Sequence, residues 1–242
     1  MRSRWPLHSR QDPKFRTAAW GALIGGALQF LIQLPWVLRL ERDLRVRWAL
    51  EEIGRTYRVR LLDAMNPRPA DYFHEQPFGQ VPAFTDGAVH LFESGAILIH
   101  LGLQDDRLLP GELNARMRAI AWLIAALNSV EPMLFELINI DIFNRGQEWT
   151  KERRPQVVEK IEARLKLLSE ALGDHEWFEG RFSIGNMMVV AVLRQLRHTD
   201  IVGKTPNLEA LLARAEARPA FQRALSDQLS VFAENKPVAE PA

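Results

Sequence analysis

Hydrophobic and polar positions follow two rhythms along the chain, and the change falls near Asp105. From Asp43, the apolar residues Val46, Ala49, Leu50 and Ile53 recur at i, i+3, i+4 and i+7, which places them on one face of a helix. Gly54 stands where a helix-ending residue belongs. Tyr57, Val59 and Leu61 then alternate with Arg58 and Arg60, predicting a half-buried strand. Upstream, Ala27 to Leu34 is a short apolar run ended by Pro35, the pattern of a strand buried on both faces. Past a polar loop with Pro67 and Pro69, Gly79 to Phe84, the pair Asp86-Gly87 and Val89 to Phe92 spell a hairpin with a type I′ turn signal. A helix follows from Glu93-Ser94, with Ser94 as its N-cap. Strand, helix, strand, hairpin and helix together describe one small α/β domain over residues 24–104.

After a linker from Asp105 to Glu112 the pattern is helical throughout. Met117, Ile120, Leu123, Ile124 and Leu127 share one face, and Val158, Ile161, Leu165, Leu168 and Leu172 recur at alternating steps of three and four. The run Met187 to Leu193 is apolar on every side, so it is expected as the central helix of a bundle. Pro206 and Pro219 are placed as proline prefers in a first helical turn. The fold class is therefore α/β followed by an all-α bundle over residues 113–233, with 1–22 and 235–242 expected to be disordered.

Composition narrows the chemistry. The chain has 242 residues and no cysteine, which closes disulfide scaffolds, cysteine-ligated metals, CxxC redox centres and cysteine nucleophiles, and fits a reducing compartment. Its six histidines are scattered without ligand spacing, so no metal site is expected. The net charge of +1 conceals a basic start, with Arg2, Arg4, Arg10, Lys14 and Arg16 against Asp12. The remainder is slightly acidic, and nucleic acid is not expected as a partner. Residues 17–38 carry no charge and have the length of a membrane span. Gly21, Gly25, Gly26, Gln29, Gln33 and Pro35 lower the segment's apolarity, so we read its later part as the buried strand and keep a membrane anchor as the alternative.

Three stretches carry a resemblance: VRWALEEIGRTYRVRLLD (46–63), QPFGQVPAF (76–84) and FESGAILIHL (92–101). With the helical second half, the chain resembles a bacterial glutathione S-transferase. The resemblance implies a thioredoxin-like N-terminal domain, a cytoplasmic homodimer acting in detoxification, and glutathione as cosubstrate with no separate cofactor. Glutathione thiolate would attack a small, mostly apolar electrophile. The resemblance implies a cis Val81-Pro82 step, which a sharp turn entering a strand allows, leaving the Val81 backbone to pair with the extended peptide of glutathione. Ser94, at a helix N-terminus, would hold the γ-glutamyl carboxylate, with Glu93 pairing the ammonium group and Gln80 contacting the peptide.

At the start of the first helix, where relatives carry a Tyr, Ser or Cys, the stretch Leu34 to Arg42 has none. A free thiol with pKa near 8.5 is only a few per cent ionised at neutral pH, so another group must favour the anion. The candidates are Trp36, Arg39, Arg42 and the helix amides, with Trp36 and Arg39 preferred. Arg45 and Arg47 are read as surface residues of the helix. The apolar substrate would meet Trp122, Asn128 and Glu131. Ser183-Ile-Gly-Asn186 resembles the capping box that opens the central helix in this family. The missing hydroxyl leaves a second reading open: a non-catalytic glutathione-binding or protein-interaction module of the same fold.

Overall fold

The computed structural model describes residues 42–62 and 67–234. Trp36, Arg39, the strand expected at Ala27 to Leu34, the charge-free segment 17–38 and both terminal stretches lie outside these residues.

Among the described residues, 42–52 are helical and are called α1. Gly54 ends it with φ of 67°, and the amide of Arg55 reaches back to the carbonyl of Leu50 at 2.9 Å. The alternation from Tyr57 to Leu61 appears as alternating half-buried and exposed positions, with a bridge assigned at Val59 alone. A 3-10 turn at Ala70–His74 precedes an antiparallel hairpin, β1 (Ala83–Asp86) with β2 (Val89–Phe92), paired Ala83 with Phe92 through Asp86 with Val89. Asp86 therefore remains in the strand and Gly87 and Ala88 make the turn. Gly87 takes a positive φ of 61° and Ala88 does not, so the turn is not the type I′ expected, which needs both.

Helix α2 covers Ser94–Gly102. Its N-cap position belongs to Glu93 rather than Ser94, because Glu93 carries the non-helical backbone and Ser94 already lies in the first turn. The stretch read as a linker is docked: Leu108 and Leu109 are buried, and the carbonyl of Leu108 accepts the amide of Ile184 at 2.9 Å. A long helical rod follows as α3 (Leu113–Ala125), a π turn (Ala126–Val130), α4 (Glu131–Ile138) and a second π turn (Asn139–Phe143). Then come α5 (Glu148–Leu172), α6 (Ile184–Leu193), α7 (Pro206–Glu216) and α8 (Pro219–Glu234).

Every residue of α6 is buried, as its uniform apolarity predicts. The face of α3 differs from the expected one: Leu123 is buried, but Met117 and Ile124 are exposed. The reason is a close helix crossing made by small residues. Gly185 lies so near α3 that a Cβ built on it would sit 2.6 Å from the carbonyl oxygen of Ala119. The rod meets α6 through Ala119, Leu123 and Ala126, and turns larger side chains outward. Leu113–Phe143 has the length and apolarity to cross a membrane, but its buried positions belong to the same core as α6.

Asn186 does not complete the expected capping box. No side chain caps α6 at Ser183. The Asn186 amide is fully buried, accepts from the Phe178 amide at 2.8 Å and donates to the Arg181 carbonyl at 2.9 Å and Ser183 Oγ at 3.2 Å. It ties the preceding loop to the helix, a task that needs both donor and acceptor and that a carboxylate would fail.

Helix α1 joins the two halves. Trp48 packs edge-on to Phe221 of α8, with centroids 5.0 Å apart, and lies 5.6 Å from Phe182. Glu52 receives both Nε and Nη2 of Arg218, at 2.6 and 2.8 Å, while Arg223 donates to Glu51 at 2.8 Å.

Candidate functional site

A cleft of about 100 Å³ opens where α1, the loop before β1, the start of α2 and the rod converge. Arg42, Arg45, Gln76, Gln80, Val81 and Pro82 line it on one side. Glu93, Ser94, Leu127 and Glu131 complete it. Of the residues the sequence singles out for glutathione, all five, Gln80, Val81, Pro82, Glu93 and Ser94, meet here.

The loop is held from beneath. Gln76 is buried, and its Oε1 accepts the amides of Phe78 at 2.7 Å and Gln80 at 3.1 Å. Tyr72 donates its hydroxyl to the Gln80 carbonyl at 2.6 Å, and burial raises the pKa of this phenol, keeping it a donor. The Val81-Pro82 peptide is cis. Opposite, Glu93 is held at φ 69° and ψ 118°, a region that non-glycine residues seldom occupy. The first turn of α2 begins there, with the amides that have no carbonyl partner in their own helix. Gly95 permits this approach, since a Cβ on it would lie 2.9 Å from Leu127 Cδ1.

Arg45 and Arg47 are not surface residues. Both are buried, because α1 is sandwiched rather than laid on the outside. Arg47 is neutralised by Asp43 at 2.5 Å. Arg45 is turned into the cleft, where it donates to Ser94 Oγ at 3.3 Å and forms an ion pair with Glu131 of α4. The same Glu131 oxygen accepts Nε2 of Gln195 at 2.6 Å. Arg42 donates to Gln80 Oε1 at 3.1 Å. The cleft thus presents the guanidinium groups of Arg42 and Arg45 and the carboxylates of Glu93 and Glu131, with Arg45 and Glu131 paired to each other.

The residues assigned to the apolar substrate separate. Glu131 lines the cleft. Trp122 stacks on Phe178 with centroids 4.2 Å apart and donates its indole N–H to Glu179 at 3.1 Å, and Asn128 is exposed outside the lining. Leu127, one helical position before Asn128, is the apolar side chain of the rod that lines the cleft. Sequence reasoning missed Arg45, Gln76 and Gln195. Their partners lie up to 86 residues away, and a charged or amide side chain in an amphipathic pattern is assigned to solvent by default.

Residues 36–102 match the family described as glutathione S-transferase, N-terminal domain. The chain carries a glutathione S-transferase N-terminal domain. A probable glutathione S-transferase from Oryza sativa subsp. japonica is 26% identical over 196 residues, covering 74% of this chain and 88% of its own. Among solved structures, a glutathione transferase family member from Pseudomonas fluorescens pf-5, with two glutathione bound, is 28% identical. It aligns with a TM-score of 0.71 over 77% of this chain and 88% of that one. A glutathione transferase from Burkholderia graminis, with two glutathione molecules bound per subunit, is 25% identical. Its TM-score is also 0.71, over 88% of this chain and 97% of that one. The chain therefore has the glutathione S-transferase architecture, a thioredoxin-like domain followed by a helical one. Its cis Val81-Pro82 step and the Glu93-Ser94 pair both fall inside the matched domain.

Proposed function

We propose that the protein is a glutathione S-transferase that joins the thiolate of glutathione to an electrophilic, mostly apolar small molecule. The observation that carries this reading is the meeting of Val81 and Gln80 with Glu93 and Ser94 around one cleft, supported by the matched N-terminal domain. In this reading the Val81 backbone pairs with the cysteinyl part of glutathione. Ser94 and the open amides of α2 receive the γ-glutamyl carboxylate, Glu93 takes the ammonium group and Gln80 meets the peptide.

The thiol gives up its proton to solvent, the sulfur forms a bond to the electrophilic carbon, and the leaving group departs with the electron pair. A cation near the sulfur favours the thiolate. Trp36 and Arg39 remain candidates for this work on sequence grounds. Arg42, on α1, faces the cleft and adds a second source of positive charge. We also propose a cytoplasmic homodimer acting in detoxification. Exposed Phe78 and Phe92, whose rings lie 6.3 Å apart, support a second copy as partner.

Binding to immobilised glutathione, followed by turnover with a chloro-aromatic acceptor, tests the reading. Retention with conjugation supports the transferase. Retention without turnover moves the function to the non-catalytic binding module, and failure to bind glutathione overturns both.

A further inference from the structure

We propose that Pro132 is a positioning residue for the cleft: through the π turn Ala126–Val130 it sets the Glu131 carboxylate against Arg45 and Gln195. The inference deepens the reading of the cleft as the glutathione site and rests on it.

Proline inside a helix has no N–H to give the carbonyl four residues back, and its ring presses on that carbonyl. For Pro132 that carbonyl belongs to Asn128. The rod relieves the conflict immediately upstream. The amide of Glu131 reaches back five residues to the Ala126 carbonyl, and the widened turn occupies Ala126–Val130. Val130 shows the distortion directly, with φ −115° and ψ −58° against about −63° and −42° in a regular helix.

The widened turn changes the rotational phase of everything beyond it. Leu127 inside the turn and Glu131 at its end both line the cleft, and they are the two residues of the rod that do so. The Glu131 carboxylate then meets two donors from distant parts of the chain, Arg45 on α1 and Gln195 just past α6. In an uninterrupted α-helix the Glu131 amide would bond to Leu127 instead, and the side chain would swing about the helix axis, off that pair of donors. The second π turn, Asn139–Phe143, has neither property. It closes at Asn144, where the rod ends, and supplies no cleft residue. Pro132 thus accompanies the π turn that interrupts the rod, and that turn is the one at the site.

The test compares Pro132→Ala, Glu131→Ala and the double variant for glutathione affinity and thermal unfolding. Removing the proline lifts its conflict with the helix but leaves the buried Arg45 without its carboxylate, so the two effects oppose each other and no gain in melting temperature is expected. Glutathione Kd should rise about tenfold at the same time, the loss expected for a misplaced charged partner. Glu131→Ala should weaken binding to a similar extent, and the double variant should lose no more than either single one. Unchanged affinity in Pro132→Ala, or additive losses in the double variant, would each overturn the proposal. If the wild type does not bind glutathione, the site reading fails and the crystal structure of Pro132→Ala decides the positioning role. A Glu131 amide bonded to Leu127, with its carboxylate withdrawn from Arg45, supports that role; a retained bond to Ala126 refutes it.

Discussion

Arg45 and Ser94 meet across 49 residues of chain, guanidinium to hydroxyl at 3.3 Å, in a buried contact between α1 and the first turn of α2. The contact fixes the serine that would receive a carboxylate, and it brings a positive charge to the same spot. Glu131 balances that charge from the helical half, so the floor of the cleft is assembled from both halves of the protein.

Arg45→Ala removes the cation and leaves the Glu131 carboxylate in its pocket, held by Gln195. Breaking a buried pair from one side costs about 3 kcal/mol or more. We expect loss of stability on that scale in denaturant titrations, together with loss of retention on immobilised glutathione. Arg45→Lys keeps the charge but not the forked geometry, and should recover stability only in part. Full stability in Arg45→Ala would remove this residue from the account.

Two glycines separate packing that can yield from packing that cannot. A methyl group at Gly95 would meet the ends of Leu127 and Leu123 at 2.9 and 3.2 Å, and flexible side chains can shift. Gly95→Ala should cost about 1 kcal/mol and weaken glutathione binding by crowding the cleft. At Gly185 the added carbon would meet the Ala119 backbone oxygen at 2.6 Å, so a whole helix must move. Gly185→Ala should cost about 3 kcal/mol, at the upper end for overpacking, and chemical denaturation should rank the two in this order. The reverse ranking would refute the α3 to α6 crossing.

The Asp86 carboxylate supplies a pH test. A hydrogen bond from His100 and then one from Arg55 hold its carboxyl below the ordinary carboxylate range. A depressed pKa in the folded state contributes stability above the unfolded value, near 3.9, and that contribution disappears as pH falls through the folded value. Melting temperatures of the wild type should therefore drop more steeply than those of Asp86→Asn from about pH 5 downward. Parallel profiles would mean that the cluster contributes nothing to folding.

Much of this architecture was legible in the pattern of residues, and the failures share a cause. The α6 helix announced itself because a run apolar on all sides has no solvent face to occupy. The hairpin was readable from Asp86-Gly87, which acts locally, and the cis Val81-Pro82 step from the resemblance. Arg45, Gln76 and Gln195 were not readable in this way. Each is a polar residue whose burial is offset by specific bonds, and for Arg45 and Gln195 the partner is remote in sequence. Met117 and Ile124 failed for a related reason. The crossing at Gly185 chose the small-residue face of α3 over the more hydrophobic one, and that choice depends on a helix more than 60 residues away.

Glu93 separates stability from binding. Its backbone, at φ 69° and ψ 118°, occupies a region that glycine enters freely and that costs other residues about 1 to 3 kcal/mol. Its side chain makes no capping bond to α2 that would offset this, yet it lines the cleft beside Ser94. Glu93→Gly should therefore relieve the strain and raise stability by about 1 kcal/mol, the larger conformational freedom of glycine in the unfolded chain taking back the rest. The same change removes the carboxylate assigned to the ammonium group of glutathione. Binding should fall about tenfold or more, as for loss of a charge-assisted bond. Glu93→Gln keeps the strain and loses only the charge, so it should match the glycine variant in weakened affinity while showing wild-type stability. Calorimetric binding and thermal unfolding on both variants check this. If affinity stays at the wild-type level in both, Glu93 does not contact the ligand and the strain at this position serves the turn alone.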